Sequence, residues 1–405
     1  MIRASWRPLI AALFAFAVAA PAHAQNAPIS VKIGILSDMS GPYADAYGPG
    51  SLTAAQLAVE DAKALFPNMA IEVVSADHLN KPDVAAGIAR RWLDADGVDV
   101  IADMVNSAVG LAVQDIARER QKISIVAAGS SVLTGKSCSP TGMTWTMDTY
   151  TYAKAATTGT VRAGGDTWFF ITADYAGGHA LQADTSAFVR AAGGTVIGSV
   201  RHPVNTHDFA SFLLAAQASH AKVIGLANVG NDMINTIKQA NEFGITAGGQ
   251  VIAVPIIYIT DIHALGLKTA KGVRFGSPFY WDANDGTRAF SRRFFDKMKK
   301  MPTDSQAGVY TSLMHYFKAV NGAGTKDAEK VIGKMREIPI NDFMTQNGKL
   351  RENGSVLRER TVYEVKTPGE SKYDWDYLKV VQALSAEDAA PRPVAESECP
   401  FVTAK

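Results

Sequence analysis

Apolar positions along the 405-residue chain fall into two alternating rhythms: short β-branched runs, and longer stretches with hydrophobic residues three and four apart. The run at 31–37 (VKIGILS) predicts a strand, and 50–66 predicts a helix carrying Leu52, Ala55, Leu57, Ala58, Ala62 and Leu65 at helical spacing. The alternation continues with strands at 71–77, 98–105 and 123–128 and helices at 81–96 and 107–120. A polar stretch rich in Gly, Ser and Pro at 129–144 interrupts it, and WTMDTYTY follows. A second series then begins, with strands at 167–174, 195–200, 222–228, 250–257 and 272–279. Helices are expected after the first of these, to residue 192, and at 208–219, 232–243 and 261–270. Helices at 287–300, 303–321 and 327–337 precede a hairpin whose turn is Glu352-Asn353-Gly354. Strand–helix repetition of this kind predicts an α/β protein with two doubly wound, parallel-sheet lobes.

The N-terminus follows a different pattern. Arg3 and Arg7 precede an unbroken apolar run at 9–20, and Ala22-His23-Ala24 supplies small residues at the positions a signal peptidase reads. These features predict a cleavable leader over 1–24 and an exported chain. Twelve apolar residues are too few to span a bilayer, which needs about 20. Loss of the leader takes the 40 Lys and Arg to 38 against 39 Asp and Glu, so the exported chain is nearly neutral. That balance excludes the basic footprint of a nucleic-acid binder.

Export also changes the meaning of the two cysteines. Cys138 lies in the polar loop and Cys399 in the Pro-rich tail. An even pair in an oxidising compartment predicts a bridge that ties the tail to the body.

Enzyme signatures are missing. The sequence has no HExxH, GxSxG or CxxC, and no cofactor or metal is expected. His202 and His207, the one close histidine pair, flank a Pro-containing loop and read as surface positions. GSSVLTGKS at 129–137 has five residues between its glycines where a phosphate loop has four, and the CSPTG that follows cannot open a helix. GPGSLT at 48–53 lacks the third glycine of a dinucleotide site.

Ligands of open α/β sheets bind beyond the C-terminal strand ends, where helix N-termini present free N–H groups. Those positions hold Asp38, Ser40 and Tyr43, then Asn106 and Ser107, then Ala128, Gly129 and Ser130. In the second lobe they hold Tyr175, Asn228 and the segment from Tyr258 to Asp261, with Tyr150 where the chain crosses between lobes. Hydroxyls, amides and aromatic rings suit a small molecule with a carboxylate and an apolar or aromatic body. Helix capping accounts equally well for Asn106, Ser107 and Ser130 taken singly.

KIGILSDMSGPYADAYG at the start, ISIVAAGSSVLT, FFITADYAGGHA and NDMINTIKQANEFGI together resemble the branched-chain-amino-acid-type (Leu/Ile/Val-binding-like) periplasmic substrate-binding proteins of ABC importers. The resemblance covers essentially the whole exported chain. It implies the type I periplasmic binding protein fold, with two lobes joined by three crossovers and closing over the ligand. It divides the chain into lobe 1 (25–147 and 279–355), lobe 2 (148–278 and 356–385) and a tail (386–405). It implies that Ser107, Gly129 and Ser130 hold the ligand carboxylate and that Tyr150 and Tyr175 close from the second lobe. Amino-acid binders of the family hold the ammonium with an acidic residue, for which Asp261 is the candidate here. Relatives with a GSSVLTGK-style loop are similar to binders of aromatic or other organic acids. The implied protein is a non-enzymatic, monomeric periplasmic receptor whose partners are permease subunits. An exported α/β hydrolase or amidase, and a ligand sensor for a signalling receptor, are the other two readings.

Overall fold

The computed structural model describes residues 1–2 and 28–402, so the expected leader lies, from residue 3 onward, outside the described residues. In chain order the first lobe opens with β1 (Ile29–Ser37), α1 (Gly48–Leu65), β2 (Met69–Asp77), α2 (Pro82–Asp94), β3 (Val100–Asp103), α3 (Ser107–Glu119), β4 (Ile123–Gly129) and β5 (Gly142–Asp148). Its sheet runs β2-β1-β3-β4-β5 with every pair parallel. Helices cover both faces, which is why its inner strands read as continuous apolar runs. Leu36, Ile101 and Val126 pack under α2 and α3 with Trp92, Val109 and Val113, while Ile33, Ile35 and Ile125 face the opposite layer.

The second lobe holds α4 (Thr149–Arg162), β6 (Thr167–Ala173), α5 (Ala176–Ala191), β7 (Thr195–His202), α6 (Ala210–Ala218), β8 (Val223–Ala227), α7 (Asn231–Glu242), β9 (Val251–Ala253), α8 (Ile259–Leu265), α9 (Leu267–Ala270) and β10 (Arg274–Ser277). Its parallel sheet has the order β7-β6-β8-β9. The chain then returns as α10 (Asp285–Met298), α11 (Asp304–Ala323) and α12 (Ala328–Glu337). Helix α11 packs on α1, β4 and β5 of the first lobe. It starts at a capping box in which Thr303 Oγ1 accepts from the Gln306 N–H and Gln306 Oε1 from the Thr303 N–H. The expected hairpin is formed by β11 (Lys349–Leu350) and β12 (Val356–Leu357). A final crossing delivers β13 (Arg360–Val365) and β14 (Leu378–Leu384), which join β10 in an antiparallel sheet. The tail passes back to the first lobe, where Cys399 is bonded to Cys138, 261 positions away in sequence.

The expected elements and the structure differ in four places. The 250–257 run forms a strand only over Val251–Ala253, because Pro255 has no N–H for the ladder. The 261–270 helix is two pieces, broken at Gly266 with φ 74°. The sequence pattern predicts no element at 142–162, which forms β5 and α4, nor the β13–β14 pair.

Candidate functional site

The C-terminal ends of both parallel sheets face one another across a cavity between the lobes. The loop after β1 is shaped by the buried Asp38 carboxylate, which accepts from the Gly41 N–H at 2.8 Å and the Tyr43 N–H at 2.9 Å. That turn places the Tyr43 and Tyr47 rings in the lining. Gln306 Nε2 fixes the same loop from α11 by donating to the Tyr47 carbonyl at 3.0 Å. Ser107, at the head of α3, faces Ala128 and Gly129 at the end of β4. Its Oγ accepts from the Ser130 N–H at 3.1 Å, which leaves the hydroxyl proton free to donate.

From the second lobe, Thr149 and Tyr152 enter from the start of α4 and Tyr175, Gly177, Gly178 and Leu181 from the start of α5. Tyr175 caps α5 without a side-chain hydrogen bond, so no N-cap side chain occupies the first-turn N–H groups, and Gly177 and Gly178 of that turn line the cavity. Asn228 follows β8, and Tyr258 precedes α8. The lobes touch above the cavity: the Tyr47 and Tyr258 hydroxyls are 2.6 Å apart and the Tyr43 and Tyr175 ring centroids 6.4 Å. This is a closed arrangement.

The electrostatics are simple. No lining residue is Asp, Glu, Lys, Arg or His. Five tyrosines line the cavity, and burial pushes the Tyr43, Tyr47, Tyr152 and Tyr258 hydroxyls well above their ordinary value of 10 and Tyr175 to about 12. All five are therefore neutral hydrogen-bonding groups at any physiological pH. Among the described residues no cluster of His, Cys, Asp and Glu is arranged to hold a metal, and no helix is long and apolar enough to cross a membrane.

Six of the sequence-derived candidates meet in this lining: Tyr43, Ser107, Ala128, Gly129, Tyr175 and Asn228. Five do not. Ser40 donates to Asp77 at 2.7 Å on the exposed side of its loop. Asn106 caps α3 through the N–H groups of Ala108 and Val109, and Ser130 turns back to the Val132 N–H. Tyr150 packs edge-on against Phe188 beneath the Arg392 guanidinium. Asp261 accepts from the Tyr258 N–H at 2.9 Å and so positions Tyr258 rather than reaching the cavity. Burial pushes its carboxyl up to about 7, opposed by that N–H. His202, expected at the surface, is fully buried under Asn228, because β7 ends inside the lobe.

Tyr47, Thr149, Tyr152, Gly177 and Gly178 line the cavity without having been singled out. The glycines stood in the quoted ADYAGGH string, directly after a strand, and that placement was the available signal.

The sequence profile described as periplasmic binding protein matches residues 30–371. The chain belongs to that family. Among solved structures, this periplasmic binding protein is 44% identical to a periplasmic binding protein from Burkholderia mallei, with a TM-score of 0.90 over 92% of this chain and 99% of that one. It is 39% identical to a branched chain amino acid ABC transporter periplasmic ligand-binding protein from Burkholderia xenovorans LB400, with a TM-score of 0.80 and the same coverage. An ABC-transporter solute binding protein from R. palustris, solved with 4-hydroxybenzoate, shares the fold at 19% identity, with a TM-score of 0.78 over 88% of this chain and 97% of that one. No curated protein sequence matches the chain. The family's type I architecture accounts for the two parallel-sheet lobes and the cavity between them.

Proposed function

We propose that this protein is a monomeric periplasmic receptor of an ABC importer that closes over a small organic acid with an aromatic or apolar body. The observation that carries the ligand class is the uncharged lining: five tyrosines, with Ser107 and the uncapped start of α5 as donors. Helix N-termini and hydroxyls stabilise a carboxylate without a counter-charge. An amino acid also brings an ammonium, and burying it beside no carboxylate is costly. Asp261, the residue expected to meet it, serves α8 instead. The R. palustris protein solved with 4-hydroxybenzoate supports an aromatic acid, and the B. xenovorans relative keeps branched-chain amino acids in the comparison. In this reading the leader over 1–24 delivers the chain to the periplasm, and permease subunits recognise the closed form.

Ligand that touches both lobes stabilises the closed state by mass action, about 2.7 kcal/mol at a hundred times Kd. A thermal-shift screen of benzoic, phenylacetic and short aliphatic acids alongside leucine, isoleucine and valine tests the proposal. A rise in melting temperature with one or more acids lacking an amino group is expected. Response to the amino acids alone, or to nothing, would refute the ligand class.

A further inference from the structure

Asn228 is the one amide side chain in the lining, and its two polar atoms have different fates. Nδ2 lies 3.1 Å from Thr236 Oγ1 and 3.1 Å from His202 Nε2. The direction of both contacts is forced. The Thr236 hydroxyl donates its single proton to the Asp232 carbonyl at 2.7 Å, so toward Asn228 it can only accept. His202 Nδ1 is 2.8 Å from the Pro203 carbonyl oxygen, which can only accept, so the neutral ring carries its proton on Nδ1 and Nε2 accepts. Burial favours the neutral ring. A flipped amide would set an oxygen against two acceptors, and the orientation is therefore fixed. Oδ1 is left buried and without a partner among the described residues, in a residue that lines the cavity. The buried Tyr152 hydroxyl also has no partner there.

A buried acceptor without a donor is costly, and native proteins rarely leave one uncompensated. We infer that Asn228 Oδ1 is an orientation-locked acceptor for a neutral O–H or N–H on the ligand, so that the receptor selects aromatic acids bearing a phenolic hydroxyl or an aromatic amine over the unsubstituted acid. Thr236 and His202 are positioning residues for that atom. The inference rests on the organic-acid reading of the cavity and narrows it. The lining itself holds no carboxylate to pair with an alkylammonium, which favours a neutral donor.

Titration calorimetry on the full exported chain tests this with benzoate, the three hydroxybenzoates, the three aminobenzoates and the methyl ether of the best hydroxy acid. At least one hydroxy or amino isomer should bind about tenfold or more tightly than benzoate, and its ether should lose that margin. In Asn228→Leu the margin should fall below about threefold, with a cooperative urea transition as the separate check that the variant is folded. Thr236→Val should shrink the margin and Thr236→Ser restore it, a pattern that a purely structural role would not give. Equal binding of benzoate and every substituted acid by the wild type would overturn the inference and leave the organic-acid reading standing. So would a margin that survives Asn228→Leu. Failure of every aromatic acid to bind would overturn the aromatic ligand itself.

Discussion

Gly178 sits in the first turn of α5, where the helix meets the ends of β6 and β8. A Cβ at this position would lie 2.1 Å from the Ala173 carbonyl oxygen and 3.1 Å from that of Ala227. Ordinary contact for such an atom begins at 3.4 Å, so in Gly178→Ala the first turn must withdraw by about 1 Å, because both obstacles are backbone. Overpacking of this kind costs about 1–3 kcal/mol of stability. The same withdrawal lengthens any hydrogen bond from the α5 N–H groups to a ligand carboxylate. Losing one charge-assisted bond of about 1.5–3 kcal/mol weakens Kd by about ten- to a hundredfold. Gly177→Ala is the contrast: its Cβ meets only the Tyr175 ring, at 2.7 Å, and a ring can turn. It should perturb binding while costing about 1 kcal/mol or less of stability. Urea denaturation gives the stability change and calorimetry with any bound acid gives Kd. An unchanged urea midpoint and Kd in Gly178→Ala would refute the claim that close helix–strand approach builds the anion end of the site.

Three further perturbations have defined outcomes. A carboxyl raised to about 7, as Asp261 is, holds a proton in the folded chain that the unfolded chain loses near pH 4, so its contribution to stability falls as pH rises through that window. Asp261→Asn should match the wild type near pH 4 and exceed it at pH 8, by at most about 4 kcal/mol for a shift of about three units; a difference in urea stability that does not change with pH would contradict this. Arg392→Ala removes the cation 2.8 Å from the buried Asp184 carboxylate, which Ser131 Oγ and Thr149 Oγ1 also contact, and should cost about 1–3 kcal/mol in urea. In a double-mutant cycle with Asp184→Asn, a coupling near zero would show the pair to be inert. Replacing both Cys138 and Cys399 by alanine opens a loop spanning 261 positions and frees the tail, and a loss of about 2–5 kcal/mol is expected; an unchanged urea midpoint would show that the tail holds without the bridge.

The parallel lobes were legible because their strands are buried on both faces and their helices on one, which leaves two distinct periods in the sequence. Strand ends then led to Ser107, Gly129, Tyr175 and Asn228. Helix α4 escaped because TYTYAKAATTGTVR is rich in threonine and weak in helix propensity. Inside the folded helix the Thr157 and Thr160 hydroxyls are satisfied by donating to the carbonyls four residues earlier, and packing rather than propensity holds the element. With α4 unseen, Thr149 and Tyr152 could not be placed. Strand β5 escaped for a related reason: Thr146 is polar in sequence yet buried, its hydroxyl bonded to the Ala127 carbonyl. Candidates such as Asn106 and Asp261 have the right residue type at the right strand end, and only coordinates show their oxygens already taken by local N–H groups.

In the proposed reading the uncharged cavity recognises a carboxylate through the α5 N-terminus and hydroxyls rather than an amino acid. Calorimetry of benzoate against benzamide, with leucine alongside, on the wild-type exported chain tests it most directly. Benzoate should bind, the uncharged amide about tenfold or more weakly, and leucine should give no heat. Tight binding of leucine with none of benzoate would contradict that reading.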